Sequence, residues 1–266
     1  MVVTGKGGVG KTTVSAALAL GFAARGERVM VLETSGAQVL PGLFGHPPSG
    51  YDVTVLVPQV STLSITPRAA LEDYVVQQIK FRRLYKMVFE NRIMEPFIDA
   101  VPGLHDALQL GKVMDLEREQ HDGHPTWDRI IVDAPATGHG LTMLGAAQAM
   151  MDMTRAGPMY DGLKQVHDVL ADPARTGLVL VSIPEEMPVS ETLDLWDRLG
   201  DAQAQVRMCV LNQMQPEVLP PSVWEAAAPV VRSISSAPIA EATDLLSQQI
   251  RHHTRQRAAL ARLDAH

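Results

Sequence analysis

Apolar positions along this chain fall into two rhythms. Short unbroken runs, such as Val29-Met30-Val31-Leu32, suit strands buried on both faces of a sheet. Between them the apolar residues recur every three or four positions, which is the helical period. Residues 1–4 are expected to end a short strand. After a glycine-rich segment comes a helix, with Val14, Ala17, Leu18, Leu20, Gly21 and Ala24 on a broad apolar face and Gly26 where a left-handed cap would end it. Residues 28–32 read as the next buried strand, so strand, loop, helix and strand make a parallel unit with a right-handed crossover. Glycines and prolines over 36–60, among them Gly42, Gly45, Pro47, Pro48 and Gly50, predict a loop region, and 62–66 a short strand. From Pro67 to about Val101 the period is helical, carried by Leu71, Val75 and Ile79, then Leu84, Val88 and Phe89. A second helical segment covers 104–119. These helices interrupt the alternation and are expected to cap one edge of the sheet. Buried-strand candidates return at 129–133, 178–183 and 206–211, with helices between them, and a last helix covers roughly 240–263. The pattern predicts an α/β protein with a doubly wound, mostly parallel sheet, as one domain over 1–266 with a helical insertion subdomain at 67–120.

Composition narrows the partners. The 266 residues are 46% hydrophobic and 20% charged, enough apolar material for the core of one large domain. Lys plus Arg is 23 against 30 Asp plus Glu, and the net charge of -7 makes nucleic acid an unlikely partner for the surface as a whole. Cys209 is the one cysteine, so neither an intrachain disulfide nor a zinc knuckle built on cysteines fits. His105, His121 and His124, with Asp106 and Asp122, match no zinc spacing. No run of 18 apolar residues suggests a membrane span, and a start that is polar by Thr4 does not read as a signal peptide. A cytoplasmic location is expected, with membrane contact at most peripheral.

The chemistry is concentrated near the start. Gly5, Gly10, Lys11 and Thr12 stand in P-loop spacing, in the strand–loop–helix context that a phosphate loop needs. Without side chains in the way, the backbone N–H groups of Gly7, Gly8, Val9 and Gly10 can turn inward around phosphate oxygens. Lys11 is placed for the β- and γ-phosphates and the Thr12 hydroxyl for Mg²⁺, while Thr13 opens a helix whose N-terminal end favours anions. ATP or ADP with Mg²⁺ is therefore the expected ligand. Lys6 is an additional lysine beside the first glycine. It can face solvent, or point away from its own nucleotide to neutralise charge in another subunit, as an arginine finger does.

Residues Gly5-Lys6-Gly7-Gly8-Val9-Gly10-Lys11-Thr12-Thr13 resemble the deviant Walker A motif of the ATPases that include MinD, ParA and the nitrogenase iron protein. Asp133-Ala134-Pro135-Ala136-Thr137-Gly138-His139 resembles the switch II segment of the arsenical-pump ATPases and the ATPases for guided entry of tail-anchored proteins. Pro102-Gly103-Leu104 and Leu110-Gly111-Lys112-Val113 resemble the helical region of bacterial members, and Asn212-Gln213 the adenine-contacting pair. The resemblance runs in order over residues 5–213. It implies a P-loop NTPase fold and a dimer, closed by ATP at its interface and reopened by hydrolysis. It assigns Lys6 as the intermonomer lysine and Asp133, with Thr12, to Mg²⁺; Pro135, Gly138 and His139 become switch II residues. Asp133 also reads that way unaided, since a carboxylate ending a buried strand beside a P-loop is the Walker B arrangement.

Three departures qualify the likeness. The family's switch I carries an aspartate that orients the attacking water; Glu33-Thr34-Ser35-Gly36-Ala37 has Ser35 at that position. A hydroxyl is no general base at neutral pH. Glu33, on the same face if the strand continues, either reaches the water instead or acts as a structural acid near the metal. The Cys-x-x-Cys that staples some tail-anchor targeting dimers is absent, and Cys209 alone cannot form the metalloid site of the arsenical pump. The function these residues imply is a Mg-ATP-binding dimeric ATPase acting as a conformational switch, on a tail-anchored or membrane-segment client or on a partner subunit. The alternatives are a catalytically weak nucleotide-binding half of a heterodimer with a paralogue, or a MinD- or ParA-like positioning ATPase. Met143, Met150, Met151, Met153 and Met159 could offer adaptable apolar surface to such a client or simply pack a core. Arg251, Arg255, Arg257 and Arg262 make the last helix basic, as a docking face or a solvated one.

Overall fold

The computed structural model describes residues 1–78, 103–135, 139–154, 156–234 and 236–266. The chain gathers into two compact units, Met1–Val181 with Leu199–Cys209, and Ser182–Arg198 with Val210–His266.

The first unit begins with β1 (Val2–Gly5), α1 (Lys11–Ala23) and β2 (Val29–Glu33). Then come α2 (Val39–Leu43), β3 (Thr54–Val57), β4 (Val60–Ser64) and α3 (Pro67–Gln78). Next are α4 (Leu104–Arg118), the short strands β5 (Gln120–His121) and β6 (His124–Pro125), and β7 (Arg129–Asp133). Helices α5 (His139–Thr154) and α6 (Pro158–Ala171) lead to β8 (Leu178–Ser182). The chain then passes into the second unit with α7 (Glu186–Leu199) and returns through a 3-10 turn, Gly200–Gln205, to β9 (Val206–Leu211).

The strands form a seven-stranded sheet in the order β3-β4-β2-β7-β1-β8-β9. β1 pairs in parallel with β7 and β8, and β2 in parallel with β7 and β4, while β3 runs antiparallel to β4. The sheet is thus mostly parallel and its centre buried: every residue of β1, β2, β4 and β8 is inaccessible. Strand and helix assignments meet the α/β expectation. β1 leads through α1 to β2, with β7 between the two strands, while β8 lies on the other side of β1. Strand order therefore reverses beside β1, which is where an open parallel sheet leaves a crevice at its carboxyl ends.

Two local expectations change. The region 36–60 is not all loop, since it holds α2 and β3. β3 is an edge strand with a register shift between Val55 and Val57, and only Leu56 of it is buried, so its apolar run carries no core signature. Residues 206–211 do form a strand, but Arg207, Met208 and Cys209 are exposed, because β9 closes the other edge of the sheet. Asp122 and Gly123, both at positive φ, make the turn of a small hairpin between β5 and β6. The helical expectation for 79–101 lies outside the described residues.

Helix α4 buries Leu104, Ala107, Leu108, Leu110, Met114 and Leu116, and packs against α3, α5 and α6. On α5, Met150 and Met151 are buried while Met153 is 66% exposed, so these three methionines divide between core and surface.

In the second unit, α8 (Pro221–Arg232) and α9 (Ala237–Asp264) pack through Trp224, Ala228 and Ile250, with Leu219 and Leu246 alongside. Gln256 of α9 is buried and accepts a hydrogen bond from the Gln215 amide at 3.1 Å.

Candidate nucleotide-binding site

Leaving β1, the chain has no room for a side chain. A Cβ on Gly5 would lie 2.1 Å from the Val181 carbonyl oxygen on β8. Gly8 and Gly10 follow at φ +82° and +89°, a region that side chains disfavour. Gly10 caps α1, and its carbonyl accepts the Val14 amide at 3.0 Å. Gly7, Gly8 and Thr13 face solvent, Lys6 is half-buried and Val9 is buried. The Lys11 ammonium reaches back across the loop and donates to the Lys6 carbonyl at 3.0 Å. Burial lowers the Lys11 pKa, and Asp133 acts against that shift.

Asp133, at the end of β7, joins loop, helix and sheet. The Thr12 hydroxyl donates to its Oδ2 at 2.6 Å and the Ser15 hydroxyl to its Oδ1 at 3.2 Å. Burial pushes its carboxyl above the usual range; the Thr12 and Ser15 bonds and then Lys11 oppose the shift. A hydroxyl and a carboxylate beside a helix N-terminus are hard oxygen donors of the kind Mg²⁺ takes together with phosphate, so the residues present fit a magnesium nucleotide.

The segment expected as switch I begins on the neighbouring strand. Thr34 donates to the Asp133 carbonyl twice, from its hydroxyl at 2.8 Å and its amide at 3.3 Å. β2 ends at Glu33, so the strand alternation that would bring Ser35 onto the face of Glu33 does not extend to it. Ser35 is exposed, and its oxygen accepts the Ala37 amide at 3.3 Å. Glu33 is 1% exposed, in register with Asp133. Its Oε1 accepts the amides of Val39 at 2.7 Å and Leu40 at 2.9 Å, and its Oε2 meets no hydrogen-bond partner among the described residues. Burial raises the Glu33 pKa as well, with these two amides opposing the shift.

The structure therefore brings together Lys11, Thr12 and Asp133, with Glu33 beside them. Of the remaining residues expected for switch II, Pro135 is half-buried, His139 opens α5, and Gly138 lies outside the described residues. Asn212 and Gln213 follow β9 in the second unit, where the Asn212 amide donates to the Ser182 carbonyl at 2.8 Å and Gln213 takes φ 58°. Sequence reasoning passed over Ser15 and Thr34. Ser15 stands one turn after Thr12 on the same side of α1, a periodicity that could have marked it; Thr34 has no local signal.

A family model described as anion-transporting ATPase matches residues 1–157 and 145–226. The chain belongs to this family. The ATPase BagA of Mycobacterium tuberculosis is 32% identical to it, over 99% of this chain and 83% of that protein. The arsenical pump-driving ATPase of Escherichia coli is 27% identical, over 84% of this chain and 41% of its own length. The ATPase GET3B of Arabidopsis thaliana is 26% identical, over 80% and 63% respectively. Membership of the anion-transporting ATPase family makes this chain a nucleotide-driven ATPase. Among the described residues no helix is long and apolar enough to cross a membrane.

Proposed function

We propose that this anion-transporting ATPase family member is a dimeric conformational switch run by Mg-ATP. The observation that carries the reading is the convergence on Asp133. Thr12 and Ser15 reach its carboxylate from the P-loop helix, and Thr34 reaches its carbonyl from switch I. A change at the loop is felt at both switches through one residue.

In this reading the backbone of Gly7, Gly8, Val9 and Gly10 cradles the phosphates, Lys11 neutralises them, and Thr12 and Asp133 hold Mg²⁺. A Mg²⁺ held by Thr12 and Asp133 would supply positive charge to offset the charge that develops on the phosphates. Thr13 continues the phosphate-facing turn, Asn212 and Gln213 contact the adenine, and Lys6 serves the nucleotide of a second subunit. Pro135, Gly138 and His139 carry the motion of switch II. The output acts on a partner subunit or on a hydrophobic protein client. The test is ATP binding and turnover with Lys11→Ala alongside: the wild type should bind Mg-ATP and the variant should not. Equal binding by both would refute the reading.

A second reading is favoured by switch I itself. Ser35 supplies no carboxylate, and Glu33 is buried with its Oε1 engaged by Val39 and Leu40, which leaves only Oε2 uncommitted. The chain then holds nucleotide but hydrolyses it slowly, as one half of a heterodimer with a paralogue.

A further inference from the structure

Gln109 is a polar residue in the middle of the apolar face of α4, 4% exposed between Leu108 and Leu110. An amide buried there costs free energy unless it is hydrogen-bonded. Its Nε2 donates to the Thr34 carbonyl at 2.9 Å and to the Ile65 carbonyl at 3.4 Å. Those carbonyls belong to the first residues past β2 and β4, and the Ile65 amide in turn donates to the Glu33 carbonyl at 2.8 Å. One side chain of α4 therefore closes two adjacent strand ends, and one of them opens switch I.

Further along the same loop the same helix has a second hold. The Gln38 oxygen accepts the Gly50 amide at 3.3 Å, and the Tyr51 hydroxyl donates to Asp73 on α3 at 2.7 Å. Lys112, one turn after Gln109, donates to that same carboxylate oxygen at 2.8 Å, with its ammonium 4.9 Å from the centre of the Tyr51 ring. Residues 34–38 are thus tied to α4 at their start by one bond and at their end by a short polar chain. Thr34 is also the residue that touches Asp133.

We propose that Gln109 is a positioning residue of the nucleotide site: it latches α4 to the first residue of switch I, so that loop and helix move together or not at all. The inference rests on the nucleotide-switch reading above. The latch is a donor function, because both partners are carbonyl oxygens. Gln109→Leu keeps the volume and apolar burial but removes the donor. Q109E puts acceptor oxygens against two acceptors while ionised, and regains a single O–H donor when protonated.

The experiment is hydrogen–deuterium exchange of residues 104–118 in the full chain, comparing a non-hydrolysable ATP analogue with ADP, both with Mg²⁺. Wild type should show a nucleotide-dependent difference in protection. Gln109→Leu should lose that difference while binding ADP as wild type does. Q109E should lack it at about pH 8 and regain part of it at about pH 5.5, relative to wild type at each pH, because a buried carboxyl protonates above its ordinary range. If leucine unfolds the chain, Gln109→Met, as long and as apolar, takes its place. A variant that keeps the wild-type difference overturns the latch, and so does a Q109E profile independent of pH. Failure of wild type to bind nucleotide would instead sink the reading on which the latch rests; wild type that binds both nucleotides with no change in α4 sinks the latch alone.

Discussion

Glu33 and Asp133 stand side by side at the carboxyl ends of β2 and β7, both buried and both with pKa values pushed upward by burial. Their hydrogen bonds separate their roles. Asp133 collects hydroxyls from the P-loop helix, whereas Glu33 collects the backbone amides that begin α2. An amide needs an oxygen to accept it, and an uncharged carbonyl suffices. Glu33→Gln is therefore expected to keep ATP turnover within about threefold of wild type, while Glu33→Leu leaves the buried Leu40 N–H unpaired at about 1–3 kcal/mol. A collapse of turnover in Glu33→Gln, with an unchanged melting temperature, would make Glu33 the group that orients water. The raised pKa also has a sign. The folded chain holds this proton more tightly than the unfolded one, so the contribution is full below the ordinary glutamate value of 4.5 and is lost as pH rises through the raised one. Melting temperatures followed upward from about pH 4 should decline less in Glu33→Gln than in wild type. Asp133→Asn has a different target. It should weaken the Mg²⁺-dependent part of ATP affinity by about tenfold or more and leave affinity in a chelator unchanged, as titrations with and without magnesium would read.

At the scale of elements, what could be read beforehand is what is written contiguously. Gly5 to Thr12 spell a loop in which Gly5, Gly8 and Gly10 take φ values that favour glycine, and Gly5→Ala shows how tightly. Its methyl would meet a backbone oxygen of β8 that cannot swing aside, so the variant should lose on the order of 3 kcal/mol in chemical denaturation. Retention of full stability would mean that β1 and β8 pair more loosely than their register implies. The strand Arg129–Asp133 was legible to the residue, because an apolar run between polar ends marks a parallel sheet, whereas for Val206–Leu211 the bounds were legible and its exposure at the sheet edge was not. β3 was not, since an edge strand with one buried side chain has neither the run nor the clean alternation. The site divided in the same way. Ser15, Thr34 and Gln109 act on partners 118, 99 and 75 positions away, so nothing in their own neighbourhood announces them. Gln109 even reads locally as a flaw in an apolar helix face; its use is visible only once β2 and β4 end beneath it.

For the whole molecule the open choice is between an autonomous motor and one half of a pair, and Ser35 divides the two. A water attacking phosphate needs an acceptor to hold it, and in the proposed switch I the residue at that position is an exposed serine. Lys6, if it serves a partner's nucleotide, adds positive charge but no base, so in the proposed dimer of identical chains the water would have to be aimed by another group, with Glu33 Oε2 the nearest candidate. The chain alone is therefore expected to bind Mg-ATP and associate with it, yet turn it over slowly. Ser35→Asp should raise steady-state phosphate release by about tenfold or more, within the range that a positioned catalytic acid or base contributes. Lys6→Ala in that background should remove the gain while leaving ATP affinity unchanged, because its target is the other subunit. If wild type already turns over at the rate of Ser35→Asp, the division of labour fails and another group must orient the water. If Ser35→Asp stays slow but a paralogue bearing the aspartate restores turnover to the mixture, the missing carboxylate comes from the partner, and this chain's contribution is to hold nucleotide and supply Lys6.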